Sequence, residues 1–246
     1  MKNKRRILTV DIGNSSTKLG VFEGEKPVYA EVCNRLDTDT FNELFARFGF
    51  EGVAYSCVGA DNEELRGHCS LNGIPFVDVR SASRMPLEIR YDSRSTLGSD
   101  RVAAAAGAVS HLESALVADA GTALTCDLVS KGVFLGGNIS PGIALRFAAL
   151  NRHTAALPEV GRDGQLPAFG HDTETAIRAG VVGGVVAEIL SSFEEARLTD
   201  NDCKLILTGG DADFLAPLLE AKGIAAEVDP DAVGRGLVRI YDYVYE

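Results

Sequence analysis

Four short segments of this sequence combine glycine with side chains that could perform chemistry. The first runs from Asp11 to Lys18 and reads DIGNSSTK. Glycine lets a backbone approach a phosphate, the amides and hydroxyls that follow can donate to its oxygens, and Lys18 adds a positive charge. A carboxylate next to a phosphate site would repel the phosphates unless a cation lies between them. Asp11 could hold such a cation, directly or through water. The segment indicates phosphate binding, with an ordinary polar hairpin turn as the alternative.

A second turn of the same type occurs at Asp119 to Thr122, which reads DAGT. Both turns lie between apolar runs that are typical of β-strands: Arg6 to Val10 and Lys18 to Phe22 for the first turn, Ala115 to Ala118 and Ala123 to Val129 for the second. Two Asp-x-Gly turns in one chain make the turn-only interpretation less favourable. No GxxxxGK[ST] segment occurs, so the sequence does not predict a P-loop helix that cradles the phosphates.

The third segment, Gly98-Ser99-Asp100-Arg101, begins an alanine-rich run that predicts a helix. A kinase that acts on an alcohol needs a base for the hydroxyl proton and a cation for an anionic acceptor. Asp100 and Arg101 could supply this pair. The alternative is an Asp that favours the helix N-terminus, followed by a solvated Arg.

The fourth segment is Leu135 to Gly142, which reads LGGNISPG. Three glycines and one proline in so short a stretch indicate a backbone that approaches a ligand or another part of the chain closely. A tight turn from a strand into a helix is the alternative.

In their order and separation these segments resemble those of the type III pantothenate kinases, DxGN(S/T)xxK, GxDR, DxGT and GGxIxPG. The resemblance runs from Ile7 to about Gly184 and continues more weakly through Leu207 to Gly210. It implies ATP-dependent phosphorylation of pantothenate to 4′-phosphopantothenate, the first step of coenzyme A biosynthesis. It also implies ATP with Mg²⁺, a monovalent cation (K⁺ or NH₄⁺), and a homodimer.

The resemblance further implies roles for single residues. Asp100 would be the catalytic base and Asp119 would bind the monovalent cation. The implied ATP-binding residues are Asp11, Ile12, Gly13, Asn14, Ser15, Ser16, Thr17, Lys18 and Thr122. The implied pantothenate-binding residues are Tyr91, Gly98, Ser99, Asp100, Arg101 and Thr173. Thr173 would reach the substrate of the neighbouring subunit, and Thr175 is a local competitor for that role.

The elements that would position these segments alternate between strands and helices. Further strands are predicted at Gly52 to Val58, Pro75 to Val79, Val133 to Gly137 and Lys204 to Thr208. Helices are predicted near Thr40 to Phe48, Asn62 to Asn72, Asp100 to Ser110, Ile143 to Leu150, Thr173 to Glu195, Phe214 to Ala221 and Asp231 to Tyr243. We expect a duplicated actin-like (ribonuclease H-like) α/β fold, with halves at residues 1–112 and 113–246 around a nucleotide cleft. Glycines in the middle of the helix at Thr173 would allow a second subunit's helix to approach closely.

Composition narrows the classes of partner. The chain has 246 residues and a formal net charge of -11, which disfavours nonspecific binding to nucleic acid or to an anionic membrane. No uninterrupted apolar run is long enough to span a membrane. The 5 cysteines are scattered and lack CxxC spacing, so neither a disulfide framework nor a zinc site is indicated. We expect a cytoplasmic protein.

Two other functions remain open from the sequence. A kinase of the same architecture could act on a sugar or a short acid, because a fold does not fix the acceptor. A non-catalytic nucleotide-binding regulator could also keep the phosphate turns. The regulator would not need a base and its cationic neighbour, yet Asp100 and Arg101 are both present.

Overall fold

The computed structural model describes residues 5–59 and 62–246 and divides into two compact units. The first unit contains the chain up to Leu112, together with Gly132–Leu135 and Asp231–Glu246. The second unit contains Glu113–Lys131 and Gly136–Pro230. The first change of unit falls between Leu112 and Glu113. The last helix, which the sequence division placed in the second half, packs with the first unit.

A mixed sheet forms the centre of the first unit. Strands β1 (Arg6–Ile12), β2 (Thr17–Glu23) and β3 (Lys26–Cys33) are antiparallel neighbours. Strands β4 (Gly52–Cys57) and β5 (Phe76–Asp78) continue the sheet in parallel with β1, so the order is β3-β2-β1-β4-β5. The predicted first hairpin is confirmed. Strand β3 was missed because it lies at the sheet edge with mostly exposed side chains, and its apolar residues are interrupted by charged ones and by Pro27.

Helices flank this sheet. Asp37 caps α1 (Thr38–Phe48) and Asn62 caps α2 (Glu63–Leu71), each by accepting a backbone N–H in the first turn. Helix α3 (Ser99–Ala108) is buried along nearly its whole length against α7 (Ala232–Tyr245). Glycine makes this approach possible, because a Cβ at Gly107 or Gly236 would overlap the backbone of the other helix.

Strands β7 (Ala115–Ala120) and β8 (Ala123–Ser130) form the predicted second hairpin. Strands β10 (Lys204–Thr208) and β11 (Glu227–Val228) extend the sheet in parallel with β7. Strand β9 (Val133–Pro141) adjoins β8, so the order in the second unit is β11-β10-β7-β8-β9. The first residues of β9 belong to the first unit, where they pair with β6 (Glu88–Ile89).

The helices of the second unit are α4 (Ile143–His153), α5 (Thr173–Thr199) and α6 (Ala212–Glu220). By length and composition alone, α5 could cross a membrane, which the sequence analysis did not anticipate. A buried core helix has the same properties, and Val182, Val185 and Ile189 of α5 are part of the core of this unit.

Candidate active site

The first hairpin exposes a set of hydrogen-bond donors at its turn. Asp11 pairs with Lys18 across β1 and β2, and the turn is closed by the Gly13 N–H, which donates to the Ser16 carbonyl at 2.9 Å. The side chains of Asn14, Ser15 and Lys18 are exposed, and they carry an amide, a hydroxyl and an ammonium group, which are donor groups that suit an anion. Together with the carboxylate of Asp11, which can hold Mg²⁺, this donor set fits a nucleotide phosphate with its metal.

Not every residue of the predicted phosphate segment faces solvent. Thr17 is only 2% exposed, so its side chain belongs to the interior of the first unit. Ile12, Gly13 and Ser16 are partly buried. The exposed part of the segment is therefore narrower than the range predicted from the sequence.

The start of α3 holds Asp100 in a defined conformation. Gly98 is the N-cap and makes no side-chain cap, while Oδ1 of Asp100 accepts a hydrogen bond from the backbone N–H of Arg101 at 2.9 Å. A Cβ at Gly98 would overlap Oδ1 of Asp100. The glycine of this segment therefore leaves room for the carboxylate, which is partly buried.

Arg101 is buried, with 6% of its surface exposed. Its guanidinium lies 5.8 Å from the ring centroid of Tyr91 and 5.9 Å from that of Phe134, within the range of cation–π attraction. The alternative of a solvated Arg at this helix start is therefore wrong. The structure brings together Tyr91 and Arg101, two of the predicted pantothenate-binding residues. It adds Phe134, which the sequence did not single out because it lies far from both in the chain.

Ser99 does not present its hydroxyl to the surface. The side chain is 3% exposed, and its Oγ accepts from the Cys57 N–H at 3.1 Å and lies 3.0 Å from Oγ of Ser56. The resemblance implies that Ser99 is one of the pantothenate-binding residues. In the structure its hydroxyl is used inside the first unit, at the end of β4.

The second turn is packed closely by neighbouring glycines. Asp119 is the penultimate residue of β7 and pairs with Thr208 of β10. A Cβ at the following Gly209, whose φ is 89°, would overlap Oδ1 of Asp119. Thr122 is exposed. The segment Leu207 to Gly210, only a weak part of the resemblance, thus adjoins the Asp119 carboxylate directly. This carboxylate and nearby carbonyl groups are oxygen ligands of the kind that hard cations prefer.

The glycine-rich fourth segment wraps around the second turn. The N–H of Gly142 donates to the carbonyl of Thr122 at 3.0 Å, and a Cβ at Gly142 would overlap the carbonyl of Gly121. Arg146 fixes this segment by donating to the carbonyl of Pro141 at 2.7 Å, and it also pairs with Glu188 of α5. Both interpretations of the fourth segment are therefore correct: its backbone approaches the second turn closely, and it also connects β9 to α4.

Glu188 lies at the partly buried end of this network. Burial raises the pKa of its carboxyl, but hydrogen bonds from Ser140 and Arg146 outweigh that effect and hold the pKa below its usual value. Glu188 is therefore a fixed negative partner for Arg146 at neutral pH.

The first turn of α5 distinguishes its two threonines. Asp172 caps the helix by accepting from the Thr175 N–H at 2.8 Å, and the hydroxyl of Thr175 accepts in return from the Asp172 N–H. This is a capping box, and Thr175 is buried within it. Thr173 is exposed.

Among residues 5–59 and 62–246 no group of three or more His, Cys, Asp or Glu side chains is arranged to hold a metal ion. All 5 cysteines are free thiols.

Comparisons with known proteins identify the family to which this sequence is similar. A family model for type III pantothenate kinases matches residues 7–195. A type III pantothenate kinase of Porphyromonas gingivalis strain W83 is 37% identical over 242 residues, which cover 96% of this chain and 98% of the relative.

Solved structures confirm the predicted fold class. A Campylobacter jejuni protein described as a Baf family transcriptional activator is 27% identical with a TM-score of 0.64, covering 96% of this chain and 97% of its own. A Listeria monocytogenes protein described as an N-acetylmannosamine kinase superimposes with a TM-score of 0.56 at 13% identity, covering 98% of both chains. At that identity the likeness shows the fold alone, which is the actin-like α/β fold with two sheets.

Proposed function

The chain belongs to the type III pantothenate kinase family, and from this premise we propose that its Asp100 accepts the proton of the pantothenate hydroxyl as the phosphoryl group is transferred. The protein is a kinase that phosphorylates pantothenate in coenzyme A biosynthesis, with ATP and a divalent metal. The observation that carries the proposal for Asp100 is its carboxylate, which lies over Gly98 at the start of the buried helix α3.

In this proposal, the donors of the first hairpin bind the phosphates of ATP. Asn14, Ser15 and Lys18 would donate to phosphate oxygens. Asp11 would hold a magnesium ion, and the chemistry that such an ion would supply here is neutralisation of charge on the transferred group. Thr122 contacts ATP from the second turn, where Gly142 fixes its backbone. Because phosphoryl transfer depends mainly on positioning and charge stabilisation, rigid turns of this kind suit the reaction.

Pantothenate would be held by the residues around Asp100. We assign its carboxylate to Arg101, whose guanidinium is kept in place by the rings of Tyr91 and Phe134. Gly98 supplies backbone next to the base. Thr173, exposed at the start of α5, would contact the substrate of a neighbouring subunit, whereas the hydroxyl of Thr175 is already used in the helix cap.

We propose a homodimer, and the exposed side of α5 supports it. Gly180 and Gly183 are exposed, and a Cβ at either would meet nothing within 4 Å. Glycine inside a helix costs about 1 kcal/mol relative to alanine, and here nothing within the described part of the subunit needs its small size. Exposed apolar side chains lie in the same unit, among them Ile139 at 63% and Phe169 at 91%. A second copy of this helix, seated on the glycines, would account for both features.

Asp119 would bind a K⁺ or NH₄⁺ ion that assists ATP binding. The support for this role is the close packing of Gly209 against its carboxylate, which fixes one oxygen ligand in place. We place the enzyme in the cytoplasm, where its 5 free thiols would remain reduced.

Two outcomes of one assay separate this proposal from its competitors. Release of ADP from ATP, with Mg²⁺ and K⁺, should depend on pantothenate, and a panel of sugars and short acids should not replace it. ADP release with another acceptor alone would identify a different small-molecule kinase. Absence of ADP release with every acceptor would favour a regulator, the role suggested by the description of the Campylobacter jejuni protein.

A further inference from the structure

Two buried serines join the end of β4 to the start of α3. Oγ of Ser56 lies 3.0 Å from Oγ of Ser99, and the residues are 0% and 3% exposed. Ser56 is the penultimate residue of β4, and Ser99 is the first residue of α3. These hydroxyls are 43 positions apart in the chain, so their contact is a tertiary connection.

The Ser99 hydroxyl uses its full hydrogen-bonding capacity in this place. A serine hydroxyl has one donor hydrogen and two acceptor lone pairs. Ser99 can donate to the Cys57 carbonyl at 3.2 Å and accept both from the Cys57 N–H and from Ser56. The pairing of β4 with β5 ends at Tyr55, so on that side Cys57 has passed its last strand neighbour. Ser99 therefore bonds both polar groups of the Cys57 main chain.

The residues next to this pair are those of the proposed reaction. Ser99 immediately precedes Asp100 in the first turn of α3. Ser56 is the register partner of Asp11 in the parallel pairing of β1 with β4. The hydroxyl pair thus connects the strand beside Asp11 to the helix start that carries Asp100, within the first unit.

We propose that Ser56 and Ser99 are positioning residues, whose buried hydroxyl pair sets the location of the Asp100 carboxylate relative to the β1–β2 hairpin. The inference rests on the proposed role of Asp100 as base. It assigns Ser99 an internal role in place of contact with pantothenate, and it adds Ser56, which no motif singled out.

The main test is Ser99→Ala in the full chain. A displacement of about 1 Å can lower a rate on the order of 10²-fold, so we expect turnover to fall about ten- to a hundredfold with little change in the KM for ATP. Ser99→Thr keeps the hydroxyl and should restore most of the turnover. Ser56→Ala removes only the hydroxyl pair and leaves the bonds of Ser99 to Cys57, so it should cost less and remain folded.

The decisive measurement combines Ser99→Ala with Asp100→Asn. If Ser99 acts through Asp100, it should change turnover by less than about twofold once the base is gone. Ser114→Ala is the matched control, because it also removes a buried hydroxyl, one that donates to Asp200 at 2.6 Å beside the start of β7. It should lower the thermal midpoint and leave turnover unchanged.

Each result has a distinct meaning. Normal turnover of Ser99→Ala, combined with strongly reduced turnover of Asp100→Asn, would overturn the positioning role alone. An equal effect of Ser99→Ala with and without the carboxylate would also overturn it, since Ser99 would then act independently of Asp100. Near-normal turnover of Asp100→Asn would instead overturn the proposed base, and this inference with it.

Discussion

Replacing Asp100 with asparagine separates a chemical role of this side chain from a structural one. Asparagine keeps the size of the side chain and the oxygen that accepts from the Arg101 N–H at 2.9 Å. What it loses is the negative charge and the ability to take a proton. At a helix N-terminus the lost charge is worth about 0.3 to 1 kcal/mol of stability. Loss of a general base is larger, on the order of 10² to 10⁴ in rate, or about 3 to 5 kcal/mol of activation free energy.

We therefore expect Asp100→Asn to remain folded, to bind ATP nearly as well as the original protein and to lose turnover within that range. The assays are steady-state ADP release with pantothenate, calorimetric ATP binding and a thermal melt. Asp39→Asn is the matched control, because Asp39 occupies the same second position of α1 that Asp100 occupies in α3. Turnover of Asp100→Asn within about threefold of the original protein, with ATP binding intact, would remove Asp100 from the mechanism.

Three further predictions follow from the same structure. Gly98→Ala should push the Asp100 carboxylate aside and lower turnover about tenfold with an unchanged KM for ATP, and unchanged turnover in steady-state assays would contradict this crowding. Activity should require K⁺ or NH₄⁺ and fall in Na⁺ alone, and Asp119→Asn should raise the K⁺ concentration needed; equal rates in the two salts would refute the cation site. Gly183→Arg should yield a folded protein with weakened self-association, because a Cβ there meets nothing within 4 Å in the described part of the subunit, whereas an arginine would obstruct a second helix. Sedimentation that shows the original protein as a fully active monomer would rule out the dimer.

The sequence could predict those parts of the fold that depend on local pattern. The first hairpin combines apolar strands with a Gly-Asn-Ser turn, and both signals are present within a short stretch of chain. Strand β3 has no such pattern, because neither of its faces is consistently buried. The amphipathic residues of α7 predicted a helix, but they carry no information about which unit it packs against.

The candidate site shows the same limit. The motif around Asp100 identified the acid and its arginine, but the burial of Arg101 depends on Tyr91 and Phe134, which are brought to it only by the folded chain. Ser56 is part of no motif, and its contact with Ser99 spans 43 positions. A hydrogen bond between two distant segments produces no repeating pattern of residue types, so a single sequence does not reveal it.

The contact between α3 and α7 has a consequence for how this protein is made. Synthesis proceeds from the N-terminus at about 5 to 20 residues per second, and α7 leaves the ribosome well after α3 because it lies much later in the chain. The alanine-rich surface of α3 is therefore synthesised on the order of ten seconds before α7, the helix that covers it. During that interval the nascent chain exposes an apolar helix that is a natural binding site for chaperones. A premature stop codon shortly before Ala232 would make this exposure permanent, so loss of the final helix should send the protein to degradation even though every motif residue is present.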